Sequence, residues 1–453
     1  MAGDRALCEV GDARERDGAL GRPKGWMILI VYTTRYREGG ARFAQAARTL
    51  ATQRRQQRPE QRVWCRAVES KACVRRVLAA AGEITEFHFV GHGGLYGPMF
   101  GTTAWPEQFS PHEWRELDIP FAAGAQAHFH ACRSSRWFAP FFAQTFGVRT
   151  LGYHWYTAFS RSPDRFVPVP AWHRPTAPLY VAGCPGRKSH GPAASLRKYL
   201  GRMPLETPVA FEPGEHDGSY DAVASDYDTV FDDIAVRRDE LRWLRAHLPS
   251  GSPDVLDLGC GNGALLEKLA PSVHSGVGLD ASSRMVDLAR ERNARCDALR
   301  FETIDGPKLP LPDASVDVAI SLLSFRYLDW DPLMLELQRV LRPGGRLLVI
   351  DMVDRPAGIA DVPRLIADKL RVRAIEVRHP GYVRARAQMV RSPAWAKMLQ
   401  FNPMRAFHEY DWYLGSRFPR GTLDVLNVGR RAQVIAFDTG PFADASLHEM
   451  AYP

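Results

Sequence analysis

The sequence predicts two α/β domains in tandem, each built around a largely parallel sheet. Three observations carry this expectation. Apolar runs of strand length alternate with helix-period segments along most of the chain. The length, 453 residues, is about three times that of a typical single domain. Finally, the Gly/Pro/basic stretch Ala182–Pro204 holds few large apolar residues and divides the alternation into halves. The charge changes sign nearby: residues 1–200 carry 28 Lys+Arg against 15 Asp+Glu, and 201–453 carry 31 against 36. The expected organisation is a first domain over 25–181, a linker over 182–217 and a second domain over 218–453.

In the first half, Trp26–Tyr32, Arg62–Ala67, Glu86–Val90, Gln126–His130 and Val148–Tyr153 read as strands. Ala41–Arg54, Lys71–Ala81 and Trp137–Thr145 read as helices between them. The second half repeats the theme, with strands at Asp254–Leu258, Gly276–Asp280, Leu299–Ile304, Val316–Leu322 and Arg346–Asp351. Helices fall at Ala264–Leu269, Arg284–Asn293 and Pro332–Leu341, and Leu341–Gly345 reads as a helix stop plus turn. This is the pattern of a doubly wound sheet. Leu423–Val428 and Ala432–Phe437 read as a closing antiparallel hairpin.

Composition narrows the class. Hydrophobic residues make up 45% and charged residues 24%, which excludes a disordered tail, a collagen-like rod and a coiled coil. No stretch reaches the roughly 18–20 apolar residues of a membrane span, and the first twenty residues lack the apolar region of a secretory signal. The seven cysteines are scattered without a CxxC pair, so neither a zinc framework nor a disulfide framework is expected. A cytoplasmic setting follows as the expectation.

The sharpest local signal is VLDLGCGNGALL, Val255–Leu266, an apolar strand running into Asp257, Gly259, Gly261 and Gly263 before a helix begins. A tight turn that lets a ligand approach the backbone needs residues without a Cβ. A second strand ends in Asp280, placed where a carboxylate accepts both hydroxyls of a ribose. A third ends at Asp305-Gly306, and a fourth at Ser321-Leu322.

From about Tyr220 to Asp351 these motifs, in this order, resemble the class I S-adenosylmethionine-dependent methyltransferases, particularly the small-molecule group that includes quinone-biosynthesis enzymes. The resemblance implies S-adenosyl-L-methionine as cofactor. It places Asp257 near the methionyl ammonium, with Gly259, Gly261 and Gly263 against the amino-acid and ribose portions. Asp280 would hold the ribose, Asp305 beside Gly306 would accept from the adenine amino group, and Ser321 with Leu322 would lie under the sulfonium. The segment Ser219–Tyr227 looks like the family's leading helix, in which Tyr227 closes over the cofactor.

After the fourth strand comes Leu323-Ser324-Phe325-Arg326-Tyr327, without the Asn/Asp-Pro-Pro-aromatic signature of amino-directed nucleic-acid methyltransferases. A nucleic-acid substrate is therefore not expected, although the overall charge is +8. Residues 352–420 form an aromatic-rich insertion that suits a lid over a small aromatic or lipophilic acceptor, with His408 as the candidate base.

The first half carries another pair. One strand ends in Gly91-His92-Gly93-Gly94 and another in Ala131-Cys132-Arg133-Ser134. Neighbouring strands could bring the His92 imidazole beside the Cys132 thiol, with a glycine N–H as oxyanion donor. Residues 25–160 thereby resemble the caspase-like cysteine peptidases, including bacterial CHAT-type domains. His88, His128 and His130 read as ordinary strand residues, and no metal site is expected because no carboxylate recurs with them. The alternatives to methyl transfer are a cysteine peptidase or self-processing protein using His92 and Cys132, and a non-enzymatic protein that senses S-adenosylmethionine. The net +13 of residues 1–200 would attract an acidic protein partner to the first half.

Overall fold

A computed structural model describes residues 25–94, 96–162, 177–184, 206–213, 220–355, 357–401, 404–430 and 432–442. The chain divides into two compact units, Met1–His216 and Asp217–Pro453.

The first unit contains β1 (Trp26–Tyr32), α1 (Gly40–Gln57), β2 (Arg62–Ala67), α2 (Lys71–Ala79), β3 (Glu83–Val90), β4 (Phe121–His130), α3 (Phe138–Phe146), β5 (Arg149–Gly152) and β6 (Val209–Phe211). Their sheet runs β6-β5-β4-β3-β1-β2, parallel except for β6. Alternate side chains of β1 leave opposite faces, and both faces are covered. Met27, Leu29 and Val31 join a core with Phe87, Phe89, Phe129 and Phe142. Ile28, Ile30 and Tyr32 pack under α1 through Phe43, Ala47 and Ala51. That two-sided burial is why the WMILIVY run is continuous rather than alternating. The strand expected from Gln126 begins at Phe121 instead, because the intervening Ala and Gly residues carry no periodic signal.

Part of the expected linker, 182–217, belongs to the first unit. Val209–Phe211 pairs antiparallel with β5, and Tyr180–Cys184 pairs antiparallel with Tyr156–Ser160. Composition could not reveal a three-residue edge strand. Residues 185–205 and 214–217 of that stretch lie outside the described residues.

The second unit contains α4 (Ala224–Val230), α5 (Arg238–His247), β7 (Asp254–Leu258), α6 (Ala264–Leu269), β8 (Ser275–Asp280), α7 (Ser283–Arg292), β9 (Leu299–Thr303), β10 (Val316–Leu322), α8 (Trp330–Val340) and β11 (Leu341–Asp354). After these come α9 (Val362–Arg378), α10 (Pro380–Arg391), α11 (Pro393–Phe401), α12 (Phe407–Arg417), β12 (Thr422–Val428) and β13 (Ala432–Asp438). The seven-stranded sheet runs β9-β8-β7-β10-β11-β13-β12, with β13 antiparallel to both neighbours. Strand order reverses between β7 and β10, so a crevice opens beyond their carboxyl ends, where α/β folds bind ligands. The turn expected at Leu341–Gly345 is absorbed into β11, although Gly344 keeps a φ of +83° there.

The insertion is helical. α10 packs on α4 in a cluster holding Val230, Phe231 and Met389, against which Tyr227, Tyr382 and Trp395 lie. α9 buries only Asp368. Among the described residues, no helix is long and apolar enough to cross a membrane.

Candidate functional site

The glycine turn after β7 is folded back on β8: the N–H groups of Gly259 and Cys260 donate to the Leu279 carbonyl at 2.7 and 3.1 Å. Gly259 has a φ of +73°, and a Cβ there would stand 2.3 Å from Ser324 Cβ. A Cβ on Gly263 would press on Asn293 and Ala289. These two glycines answer to protein neighbours. Gly261 differs, since its missing Cβ would meet only the Tyr227 ring, at 3.6 Å.

Two carboxylates stand beside this turn. Asp257 is 1% exposed, and neither of its side-chain oxygens has a hydrogen-bond partner among the described residues. Burial, then the neighbouring Asp280, pushes its carboxyl up to about 8. A buried polar group without a partner is costly and rare in folded proteins. Asp280 is held by the N–H groups of Gly261 and Ser282, each donating at 2.9 Å. Burial raises its pKa, and these donors oppose the rise. Asp257, Gly259, Gly261, Asn262, Leu322 and Tyr227 line one cleft.

The other strand ends complete the crevice. Ser321 Oγ bonds Ser324 Oγ at 2.7 Å, and Ser324 Oγ donates to the Leu258 carbonyl at 2.5 Å. Leu323, between them, holds a φ of +61°, a left-handed conformation that a leucine adopts only under constraint. Asp305 is exposed beyond β9, beside Gly306 with a φ of +89°. The Ile304 N–H donates to the Asp280 carbonyl at 3.0 Å, tying that strand end to Asp280.

The segment preceding β7 caps the crevice through contacts that motif reading missed. Asn262 Nδ2 donates to Asp228 at 2.7 Å, Arg292 Nη2 bonds the same carboxylate at 3.1 Å, and Ser282 Oγ donates to Asp221. α4 is thus latched through Asp228 to the loop after β7 and to α7, and the turn before it through Asp221 to the loop after β8, with Tyr227 over Gly261. Of the leading segment, Ser219 lies outside the described residues. Tyr220 and Tyr327 share a hydroxyl hydrogen bond of 2.7 Å, and the Tyr220 ring meets Trp395 edge-on at 6.4 Å. Burial raises the Tyr220 and Tyr227 phenols, so both stay protonated near neutrality. Burial likewise raises the Cys260 thiol, which remains an inert filler.

His408 does not reach the crevice. It is exposed on α12, its ring 4.6 Å from that of Trp412. Two residues along a helix is a turn of about 200°, and Tyr410 is the residue pointing inward. Its hydroxyl donates to Asp351 at 2.5 Å, and Asp351 also receives the Arg326 backbone N–H and Nη1, each at 2.8 Å. This buried knot joins the ends of β10 and β11 to the insertion. Asp351 closing one strand and Arg326 following its neighbour were the available signal.

In the first unit, β3 and β4 pair in parallel with Val90 opposite His130, so His92 and Cys132 leave adjacent strand ends. A Cβ on Gly93 would come within 2.8 Å of the Cys132 carbonyl oxygen, showing how closely these loops approach. No hydrogen bond joins imidazole to thiol. His92 Nε2 bonds the Glu38 carbonyl at 2.9 Å. A carbonyl only accepts, so the neutral ring carries its proton on Nε2 and keeps the Nδ1 lone pair; burial lowers its pKa. Cys132 Sγ accepts the Thr157 N–H at 3.4 Å and lies 3.5 Å from Thr157 Oγ1. Arg133, next to it, has a φ of +60°.

The crevice of the second unit, with its glycine turn, paired carboxylates and tyrosine cap, is that of a class I methyltransferase-type α/β domain. Residues 256–349, all in this unit, match the family described as "Methyltransferase domain". The chain is similar to the demethylmenaquinone methyltransferase of Thermus thermophilus, 34% identical over 148 residues, covering 28% of this chain and 67% of that protein. It is similar to the Clavibacter sepedonicus protein of the same name, at 33% over 157 residues, covering 34% and 64%. A third relative is the 27-O-demethylrifamycin SV methyltransferase of Amycolatopsis mediterranei, at 38% over 131 residues, covering 27% and 48%. The chain spans about half to two thirds of the length of these curated relatives. It belongs to the S-adenosylmethionine-dependent methyltransferases, with S-adenosyl-L-methionine as methyl donor. The residues present fit that cofactor: an unpaired buried carboxylate asks for a cation, and an N–H-anchored carboxylate beside it suits a diol.

Proposed function

We propose that the second unit methylates a small aromatic or lipophilic acceptor held under the α4 cap. The observation that carries this is the unpartnered Asp257 in a cleft lined by Tyr227, whose ring meets Tyr220 edge-on, Tyr220 in turn meeting Tyr327 and Trp395. When bound, the cofactor supplies an electrophilic methyl group on a sulfonium. Asp257 would pair with its ammonium, Asp280 would receive its ribose hydroxyls, and Tyr227 would cover it from the cap. Asp305 and Gly306, beyond β9, would hold the adenine, and Ser321 and Leu322 would lie under the sulfonium. The aromatic wall excludes water and holds a flat acceptor in line. Positioning and desolvation supply much of the rate for such a transfer. An acceptor that arrives already ionised at oxygen has no proton left to lose and needs no dedicated base. Two of the relatives are named for demethylmenaquinone and the third for a demethylrifamycin, which supports this acceptor class. Incubation with methyl-deuterated cofactor and a panel of quinols and polycyclic phenols tests it. Mass spectrometry should find one labelled methyl on at least one acceptor with the wild type and none with Asp280→Ala; turnover restricted to protein or nucleic acid would overturn the reading.

A second reading is favoured by the Thr157 N–H aimed at Cys132 and by the tautomer that Glu38 imposes on His92. Both support a caspase-like first unit in which Cys132 is the nucleophile and His92 the base, with its basic surface drawing an acidic protein segment. Rapid alkylation of Cys132 and cleavage products absent in Cys132→Ser are expected; an inert thiol and an intact chain would refute it.

A further inference from the structure

We propose that His88, His128 and His130, in the first unit, form a binding site for one divalent ion of the zinc class, with Glu86 orienting His88. The three imidazoles project from one face of the paired strands β3 and β4, where His88 stands opposite His128 in the parallel register. Their ligand atoms all lie within 4.8 Å of one another. His88 Nδ1 and His130 Nε2 are 3.2 Å apart, with ring planes inclined by only 13°. A tetrahedral ion with metal–nitrogen bonds of about 2.0–2.1 Å sets neighbouring ligand nitrogens about 3.3–3.4 Å apart. These two nitrogens thus already hold the spacing of one tetrahedral edge. The His128 ring stacks on His88 with centroids 4.6 Å apart, and a turn about its soft χ2 torsion aims a nitrogen at the same point.

The surroundings match a ligand set more closely than a packing cluster. His88 Nε2 lies 3.1 Å from Glu86 Oε2, and Glu86 pairs with Arg54 Nε at 2.7 Å. A carboxylate on the distal nitrogen of a ligating imidazole fixes its tautomer and raises its basicity. Glu86 sits two residues before His88, on the same strand face, and is the carboxylate whose apparent absence argued against a metal in the sequence. His130 Nδ1 is buried without a hydrogen-bond partner among the described residues. Three imidazoles leave a fourth position for water or an anion, and imidazole donors suit zinc and its neighbours rather than magnesium or calcium.

The experiment uses the full chain, purified without a chelating tag. Elemental analysis after gel filtration should give one zinc per chain, and Co²⁺ added to chelator-treated protein should produce the intense visible bands of a four-coordinate site. His128→Asn and His130→Asn should abolish both signals, and Glu86→Gln should weaken Zn²⁺ binding roughly 10- to 100-fold. Metal well below one equivalent with no Co²⁺ bands in the wild type would overturn the proposal, leaving a hydrogen-bonded pair of neutral histidines. So would equal metal in wild type and both histidine variants. Should those variants not fold, the wild type decides alone: chelator-treated protein should regain its thermal midpoint with Zn²⁺ and not with Mg²⁺, and an unchanged midpoint with Zn²⁺ counts against the site.

Discussion

Replacing Asp257 by Asn should stabilise the second unit while destroying its cofactor site. The carboxyl titrates near its ordinary 3.8 in the unfolded chain and at about 8 in the folded one. The folded state therefore holds a proton that the unfolded state has released, and stability falls as pH rises between these values. At pH 7 the penalty is about 3.2 pH units of linkage at 1.36 kcal/mol each, or about 4 kcal/mol. Asparagine has nearly the same shape and no proton to lose, so it escapes the penalty. For a unit of this size that gain corresponds to a rise in Tm of roughly 8–16 °C. The assay is thermal and urea unfolding of both proteins, without cofactor, at several pH values. The gap should be about 1–2 kcal/mol at pH 5, widen to about 4 kcal/mol at pH 7 and level off above about pH 8. Equal stability at pH 7, or a gap indifferent to pH, would refute the claim that Asp257 is buried without a partner.

On the proposed pairing the same carboxyl links cofactor binding to protons: the arriving ammonium would lower its pKa, so binding at pH 7 should release nearly one proton. Calorimetry in buffers of different ionisation enthalpy reads this directly, and affinity should fall as pH drops below about 8. Gly259→Ala should abolish cofactor binding, because its Cβ would stand 2.3 Å from that of Ser324 at a φ of +73° that an alanine rarely adopts; retained affinity in a binding titration would contradict this. Tyr410→Phe should lower stability by about 1–3 kcal/mol in urea unfolding, since it leaves the buried Asp351 short of a donor. His408→Ala, on the outer face of the same helix, should change turnover by less than about twofold, a background surface effect.

The strands and most helices were legible because their signals are periodic and local. WMILIVY and VLDLG each bury both faces of a parallel strand, and the Ala264–Leu269 helix follows its glycine turn as expected. What escaped was contact between distant segments. The short strand Val209–Phe211 has too few residues to show a period and exists only because β5 offers it an edge. His408 stands out as a base because it sits in the run Phe407–Tyr413, but which helix face turns inward depends on Asp351, 59 residues away from Tyr410. The glycine turn showed what could approach the backbone without showing what does: Ser324 fills the space beside Gly259. Asp257 was legible as a motif residue, whereas its lack of any partner, which gives it its chemistry, appears only in three dimensions.

Methyl transfer by this chain requires a cofactor site in the second unit. Titration calorimetry of S-adenosylhomocysteine into the full chain should give one site per chain with micromolar affinity, lost in Asp280→Ala while the variant keeps its fold. Absence of binding heat from folded wild-type protein, at several temperatures, would contradict the account.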